Sequence, residues 1–344
     1  MATTIHDVAR EAAVSIATVS RVLAGNYPVA EKTRARVLAA VEALDYAANP
    51  NARRLRGADA GPIAVLLGSI TGPSFAALAQ GVESEARARG RVCLIGATGG
   101  DADREIELVE LMRRQHASAV IVPGGFWRDD AHHDRIARLA KLLAEDGTPL
   151  VLCGNRSLRV NADDAIAIRY ENERGAARIA GRVAAAGHRR VLLLPGDTRG
   201  STAEERLRGF AEAFAGVDGA ELIVRETSFD REPARDMLHA VLDELSQGGR
   251  PPFSAVLSGT DQMASGVLAA LRERGLACPA DVSVTGYDDV PAARDLNPAL
   301  TTVRVPYEEM GALAVQQALD GAPSAPTVLP VEVVERESVG AASR

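Results

Sequence analysis

Three cysteines in 344 residues, Cys93, Cys153 and Cys278, are too few, and odd in number, for a disulfide framework. The first two sit in apolar, strand-like surroundings, so they read as free buried thiols in a reducing compartment. Aromatic residues make up only 3% of the chain, which leaves few surfaces for stacking on a flat ligand. No apolar run reaches ~18 residues, the length of a membrane span, and no basic-then-apolar leader opens the chain. Both absences predict a cytoplasmic protein with no membrane partner. Also missing are a Gly-x-Ser-x-Gly elbow, a Walker loop, a dinucleotide Gly-x-Gly-x-x-Gly after the first strand and metal-ligand cysteine pairs. Nothing calls for a metal or a cofactor, and nothing points to an enzyme. His132 and His133 adjoin in WRDDAHHDR, but neighbours in sequence face different ways, and a solvated charged loop accounts for them better than a metal. There are no internal repeats and no low-complexity tract.

What is present is enough apolar material, 47% of the chain, for substantial cores in about two or three domains. The net charge of −7 is unevenly spread. Residues 1–60 hold eight basic and six acidic side chains, so they carry +2 and the remaining 284 carry −9. Affinity for phosphate is therefore concentrated at the N-terminus. There, TIHDVAREAAVSIATVSRVL (4–23) predicts two short helices at a tight corner. Ile5, Val8, Ala9 and Ala12 share one face, and Thr4 with Asp7 resembles a capping box. Ser15 supplies a fresh N-cap for a second helix, 16–23. Val19, Val22 and Leu23 face the first helix, leaving Ile16, Ala17, Ser20 and Arg21 for a partner. Two helices so joined form a helix-turn-helix, whose second helix enters the DNA major groove. Arg21 can bond a guanine edge twice and is the strongest base-reading candidate. Thr4, Ser15, Thr18 and Ser20 can reach phosphate, or simply cap and solvate their helices.

A third helix, 31–44, closes the core with Val37, Val41 and Leu44. Its start is weakened because Ala30 stands at the cap. Residues 49–57, NPNARRLRG, form a helical pattern too short to be stable alone, with one large apolar residue, Leu55. From residue 62 onward apolar runs alternate with helical patterns, the signature of βαβ units. Strands are expected at 63–67, 92–95, 119–122, 150–153, 165–168, 191–194, 255–257, 282–285 and 327–334. Helices are expected at 75–89, 104–116, 173–186, 203–214 and 262–274.

The blocks DVAREAAVSIATVSRVL, PVAEKTRARVLAAVEALDY and NPNARRLRG, in that order, resemble the N-terminus of the lac repressor/galactose repressor family of bacterial transcription regulators, and the resemblance extends along the whole chain. It implies an all-α helix-turn-helix domain (1–48), a hinge helix and linker (49–60) and an α/β domain like periplasmic sugar-binding proteins (61–340). The latter would comprise two doubly wound parallel-sheet lobes, about 61–160 with 291–322 and about 161–290 with 323–340. Ile16 and Ala17 fall where relatives discriminate operators. Asn49, Ala52, Arg53, Leu55 and Arg56 fall on the hinge, which in the family pairs with its dimer mate over the minor groove and wedges a leucine between base pairs.

The resemblance further implies a homodimer on a near-palindromic operator, controlled by a small-molecule effector held beyond the C-terminal strand ends. The matching positions are Phe75, Arg206, Thr260, Asp261, Asp288 and Tyr307. Of these, Asp288 in VTGYDD can accept from sugar hydroxyls, Arg206 in TAEERLRGF can reach a hydroxyl or carboxylate, and Phe75 and Tyr307 can stack on a ring. Thr260 and Gly72 replace usual asparagines, Ser74 stands where an aromatic is common, and Val305 replaces a polar residue. The pocket is thus expected to be less polar than a typical hexose site. A sugar or sugar derivative leads as effector, with a nucleoside, purine or other metabolite as the alternative. A secreted solute-binding protein is the other class weighed, and it fails on the missing leader and on the helix-turn-helix.

Overall fold

A computed structural model of the chain describes residues 3–24, 27–46, 61–125, 130–154, 164–246 and 251–342. The chain divides into two compact units, Met1–Gly61 and Pro62–Arg344.

The first unit contains α1 (Ile5–Glu11), α2 (Ile16–Ala24) and α3 (Glu31–Ala43). Asp7 reaches back to the start of α1, accepting from the Thr4 N–H at 3.0 Å and the Thr4 hydroxyl at 2.7 Å. Ser15 Oγ accepts from the Thr18 N–H at 3.1 Å and so caps α2. Between them Ala13 turns the corner at φ +49°. The carbonyls left over at the end of α1 are satisfied from α3, since Arg36 donates to Ala12 O at 2.7 Å and Ala13 O at 3.1 Å. Val8, Ala9, Ala12, Val19, Val22, Val37 and Ala40 form the shared core. Ala30 is the N-cap of α3 and makes no side-chain cap bond. The hinge expected over 49–60 lies outside the described residues.

The second unit contains two parallel sheets. One has six strands, β1 (Ile63–Leu67), β2 (Cys93–Ala97), β3 (Ala119–Pro123), β4 (Leu150–Cys153), β5 (Ile166–Tyr170) and β11 (Thr327–Leu329), in the order β11-β5-β4-β3-β1-β2. The other has β6 (Arg190–Leu194), β7 (Glu221–Val224), β8 (Ala255–Ser258) and β9 (Ser283–Thr285), in the order β7-β6-β8-β9. Helices cover both faces of the sheet interiors, which is why inner strands such as β1, β3 and β4 are buried throughout and read as unbroken apolar runs. Ile63, Val65 and Leu67 of β1 point to one core with α4 (Pro73–Ala88) and α11 (Tyr307–Asp320), while Ala64 and Leu66 point to another with α5 (Ala102–Arg114) and α6 (Asp130–Glu145). In the second sheet Val191 and Leu193 face α7 (Asn172–Ala185) and α8 (Ser201–Glu212). Leu192 and Leu194 face α9 (Arg231–Leu245) and α10 (Asp261–Glu273).

The lobe boundaries need correction. Residues 166–170 and 327–329, expected in the second lobe, are neighbouring strands of the first sheet. The chain crosses only after Tyr170. The single strand expected over 327–334 is two, because Pro330 has no N–H with which to continue the β11–β5 ladder. After it, β12 (Glu332–Val334) pairs antiparallel with β10 (Thr302–Arg304) instead. Helices α6, α9 and α11 and strands β7 and β10 were not anticipated from the pattern. His132 accordingly lies not in a solvated loop but on α6, only 4% exposed, with Nε2 3.4 Å from Glu105. No group of histidine, cysteine and acidic side chains suited to a metal occurs among the described residues. Nor, among them, is any helix long and apolar enough to cross a membrane.

Helices α4 and α11 approach at two glycines. A methyl on Gly81 would lie 2.0 Å from Glu308 O, and one on Gly311 would lie 2.1 Å from Leu78 O. Leu78, Tyr307 and Met310, which border this contact, also line the cleft between the sheets.

Candidate functional site

The cleft between the two sheets has a volume of about 1010 Å³, solvent at its mouth included. The strand-to-helix turns of both sheets border it, the position that open parallel sheets leave for ligands. At its base sits Arg206 of α8, 2% exposed. Its guanidinium donates to Asn172 Oδ1 at 2.9 Å, Tyr170 Oη at 3.2 Å, Asp288 Oδ1 at 3.0 Å and Gly259 O. Its central carbon lies 3.8 Å from the ring centre of Tyr287, a cation–π contact. Tyr307 Oη also donates to Asp288 Oδ1, at 2.8 Å. Both known donors to Asp288 thus converge on one oxygen, and Oδ2 accepts no hydrogen bond among the described residues. Burial raises the Asp288 pKa, opposed by the Arg206 charge. Burial opposes the Arg206 charge too, yet Asp288 and the surrounding tyrosines hold its pKa well above the ordinary value.

The backbone around the acid is held in a costly conformation. Asp288 has φ +106° and Asp289 φ +54°, regions that favour glycine. The Asp288 N–H bonds Val303 O at 2.8 Å, and the Asp289 carboxylate accepts from Arg304 at 2.8 Å and Arg336 at 2.6 Å. These arginines flank the β10–β12 crossing, so the loop that carries Asp288 is tied to the segments joining the lobes.

Of the six effector positions expected from the sequence, the structure brings Phe75, Arg206, Thr260, Asp288 and Tyr307 to the cleft wall. Asp261 is the exception. It is 2% exposed, and its carboxylate accepts from Thr302 Oγ1 at 2.5 Å and the Val290 N–H at 2.8 Å. Both oxygens are turned to the loop behind the site. The Thr260 hydroxyl is also committed, accepting from the Met263 N–H at 3.1 Å and donating to Phe229 O at 3.2 Å. Phe75 packs its ring against Gly68 and Gly72, and Tyr307 meets Tyr170 edge-on at 6.2 Å. Sequence reasoning missed Tyr170, Thr202, Phe229 and Asp230, which also line the cleft. Tyr170 could have been found as the polar residue ending an apolar strand. Across the cleft the lobes touch at Gly125, where a methyl would lie 2.3 Å from Thr202 Oγ1.

Burial, with the Asp288 charge added, pushes the Asp261 pKa up to about 8. Folded protein therefore holds this proton between about pH 4 and pH 8 where unfolded protein has released it, so its contribution to stability fades as pH rises through that window. Asp261→Asn, whose amide can face Val290 N–H with oxygen and Thr302 Oγ1 with nitrogen, abolishes the titration. The melting temperature of Asp261→Asn relative to the wild type should climb from pH 5 to pH 9; a constant difference would place the Asp261 pKa in the ordinary carboxyl range.

In the first unit Ile16, Ala17 and Arg21 are exposed on α2 while Val19 and Val22 are buried. The Arg21 guanidinium rests 5.2 Å from the Tyr27 ring centre. The Ser15 and Thr18 hydroxyls bond each other at 2.9 Å, and the Thr4 hydroxyl is engaged by Asp7. Ser20 is half-buried. Asn49, Ala52, Arg53, Leu55 and Arg56 lie outside the described residues.

A helix-turn-helix unit and a two-lobed binding unit in one chain define a ligand-responsive DNA-binding regulator. Comparison with known proteins gives the same class. Residues 4–49 match the bacterial regulatory proteins of the lacI family, and residues 180–339 match the periplasmic binding protein-like domain. The chain is 36% identical to an uncharacterized HTH-type transcriptional regulator in the aml 5' region of Streptomyces limosus, over 92% of this chain and 87% of that protein. It is 32% identical to the HTH-type transcriptional regulator GalR of Escherichia coli K12, over 99% and 96%. The structure of the lac repressor dimer bound to operator and the anti-inducer ONPF superposes with a TM-score of 0.84 at 26% identity, covering 99% of this chain and all of that one. The chain belongs to the lacI family of bacterial regulatory proteins. It is a DNA-binding transcriptional regulator with a periplasmic-binding-protein-like effector domain, and the relatives compared are regulators, not enzymes.

Proposed function

We propose that this chain is a cytoplasmic, non-enzymatic repressor that binds a near-palindromic operator as a homodimer and responds to a neutral, hydroxyl-bearing effector of the sugar class. The observation that carries the effector class is the Asp288–Arg206 pair. The arginine's charge is already balanced, so the cleft offers an acceptor oxygen rather than a free cation, which suits hydroxyl donors and not phosphates or carboxylates. Phe75 and Phe229, on opposite walls, support a nucleoside or purine as the second reading, because a flat base can lie between aromatic rings. Titration of the protein with hexoses, nucleosides and purines decides between them.

On DNA, α2 enters the major groove with Arg21 toward a guanine edge and Ile16 and Ala17 offering apolar contact. Thr4, Ser15, Thr18 and Ser20 approach phosphate, as do the hinge arginines Arg53 and Arg56, while Asn49, Ala52 and Leu55 meet the minor groove. Effector binding shifts lobe arrangement and with it the spacing at which two hinges can pair. Arg21→Ala should cost ~1 to 3 kcal/mol on the operator and much less on random DNA. Equal losses on both in an anisotropy titration would reduce Arg21 to a phosphate contact, and failure of genome-wide selection to yield a shared inverted repeat would end the operator proposal.

Dimerisation is supported by the free edge of the first sheet. On and beside β2, Val92 is 66% exposed and Ile95 56%, an apolar edge of the kind that proteins normally cover. Ile95→Asp should convert a dimer to a monomer in sedimentation and weaken operator binding. A dimer that survives this substitution unchanged places its interface elsewhere.

A further inference from the structure

The cleft does not end at the compartment that holds Asp288. Past Phe75 and the Gly125–Thr202 contact it opens into a second compartment of about 1250 Å³, its mouth included. The first lobe lines this outer space with Thr98, Asp101, Glu105 and His132, and the second with Asp197 and Ser228. Phe75, Gly125, Thr202, Phe229 and Asp230 border both compartments. The two spaces are therefore one continuous trough with a waist, walled by both lobes along its whole length.

The chemistry of the lining is one-sided. Among the described residues bordering the trough the only permanent cation is Arg206, which Asp288 neutralises at 3.0 Å. Against it stand Asp101, Glu105, Asp197 and Asp230. Asp197 is paired with Arg199 at 2.5 Å and Glu105 lies 3.4 Å from His132, so the acidic surplus rests on Asp101, which caps α5, and on Asp230, which accepts from Ser228 Oγ at 2.9 Å. The spare acceptor capacity of Asp101 and Asp230 suits hydroxyl donors, and among the described residues no unbalanced cation is there to hold an anion. At the waist the Phe75 and Phe229 rings supply apolar faces, which suit the C–H face of a pyranose as it passes from one compartment to the next. A single hexose seated on Asp288 would leave the outer compartment to water, whereas a second ring past the waist would be walled by both lobes there as well.

We infer that the effector is an elongated neutral saccharide of at least two rings, one ring bonded to Asp288 and the next lying beyond the waist in the outer compartment. This rests on the sugar-class reading above and narrows it in length and charge.

The test is calorimetry of the full-length protein with D-glucose, D-galactose, maltose, cellobiose, lactose, maltotriose and glucose 6-phosphate. At least one di- or trisaccharide should bind about 100-fold more tightly than its constituent monosaccharide, since a second ring adds roughly a doubling of contacting atoms. Ser228→Trp, on an exposed position of the outer wall, should bring that ratio close to one while monosaccharide binding persists. A monosaccharide that binds as tightly as any longer sugar overturns the inference and leaves the sugar-class reading standing. So does tighter binding of glucose 6-phosphate than of glucose, or an undiminished preference in Ser228→Trp. If no saccharide binds at all, the sugar-class reading itself fails and the inference with it.

Discussion

Arg206→Met should lower the stability of the effector unit by about 3 to 5 kcal/mol, read as an earlier urea midpoint, and should abolish the effector response. The loss does not come from the arginine's own contacts alone. Its removal leaves Asp288 buried without its counter-ion and leaves Asn172 Oδ1 and Gly259 O without their donor. Adding Asp288→Asn to Arg206→Met should recover part of the stability, because the stranded charge is then gone while the Tyr307 hydroxyl keeps an acceptor. Asp288→Asn alone should be milder, retaining both donors to the same oxygen position but offering the ligand an amide in place of a carboxylate. If Arg206→Met unfolds at the wild-type midpoint, the guanidinium is not buried in solution as the structure has it. If the double variant is as unstable as the single one, the cost lies in lost packing and hydrogen bonds rather than in an unpaired charge. The effector response should be absent from both variants that lack the arginine.

The same substitution should have opposite signs at two helical glycines. Gly81→Ala sets a methyl 2.0 Å from the Glu308 carbonyl, a backbone atom that cannot swing aside, so α4 and α11 must separate. Overpacking of this kind costs ~1 to 3 kcal/mol or more. It should also weaken effector binding, because α11 begins at Tyr307, whose hydroxyl bonds Asp288. Gly181→Ala in α7 meets nothing within 4 Å and should stabilise by ~0.5 to 1 kcal/mol, as helix propensity dictates. Thermal melts of the two variants read both effects. Stabilisation of Gly81→Ala would mean that the helices are not in contact as described.

Strands such as β1 and β4 were legible because burial on both faces leaves a continuous apolar run, and the structure reproduces those two at the same residues. Strand β10 was not, being three residues of a threonine-rich segment whose partner, β12, lies some thirty positions away. The α6 and α9 stripes were hidden by the acidic and basic residues that crowd their exposed faces, and His132 was misplaced for that reason. At the site, Arg206 and Asp288 could each be placed near a lobe mouth by the element it follows or begins. Their mutual bond could not, since 82 residues separate them and only the packing of α8 against the β9 loop brings them together. Asp261 shows the converse. A carboxylate at the start of a helix at the right end of a strand looks like a ligand-facing group, but a one-residue step along the helix turns it to the interior.

The Gly125–Thr202 contact also sets a limit on motion. Where one lobe's backbone already rests on the other's threonine with no room for a methyl, travel in the closing direction is used up, as with a hinge that has met its doorstop. A bound molecule can then change the lobes only by prising them apart or by sliding one across the other about that point. That limit on closure is set by a bare glycine, and not by the groups that line the cleft around Asp288.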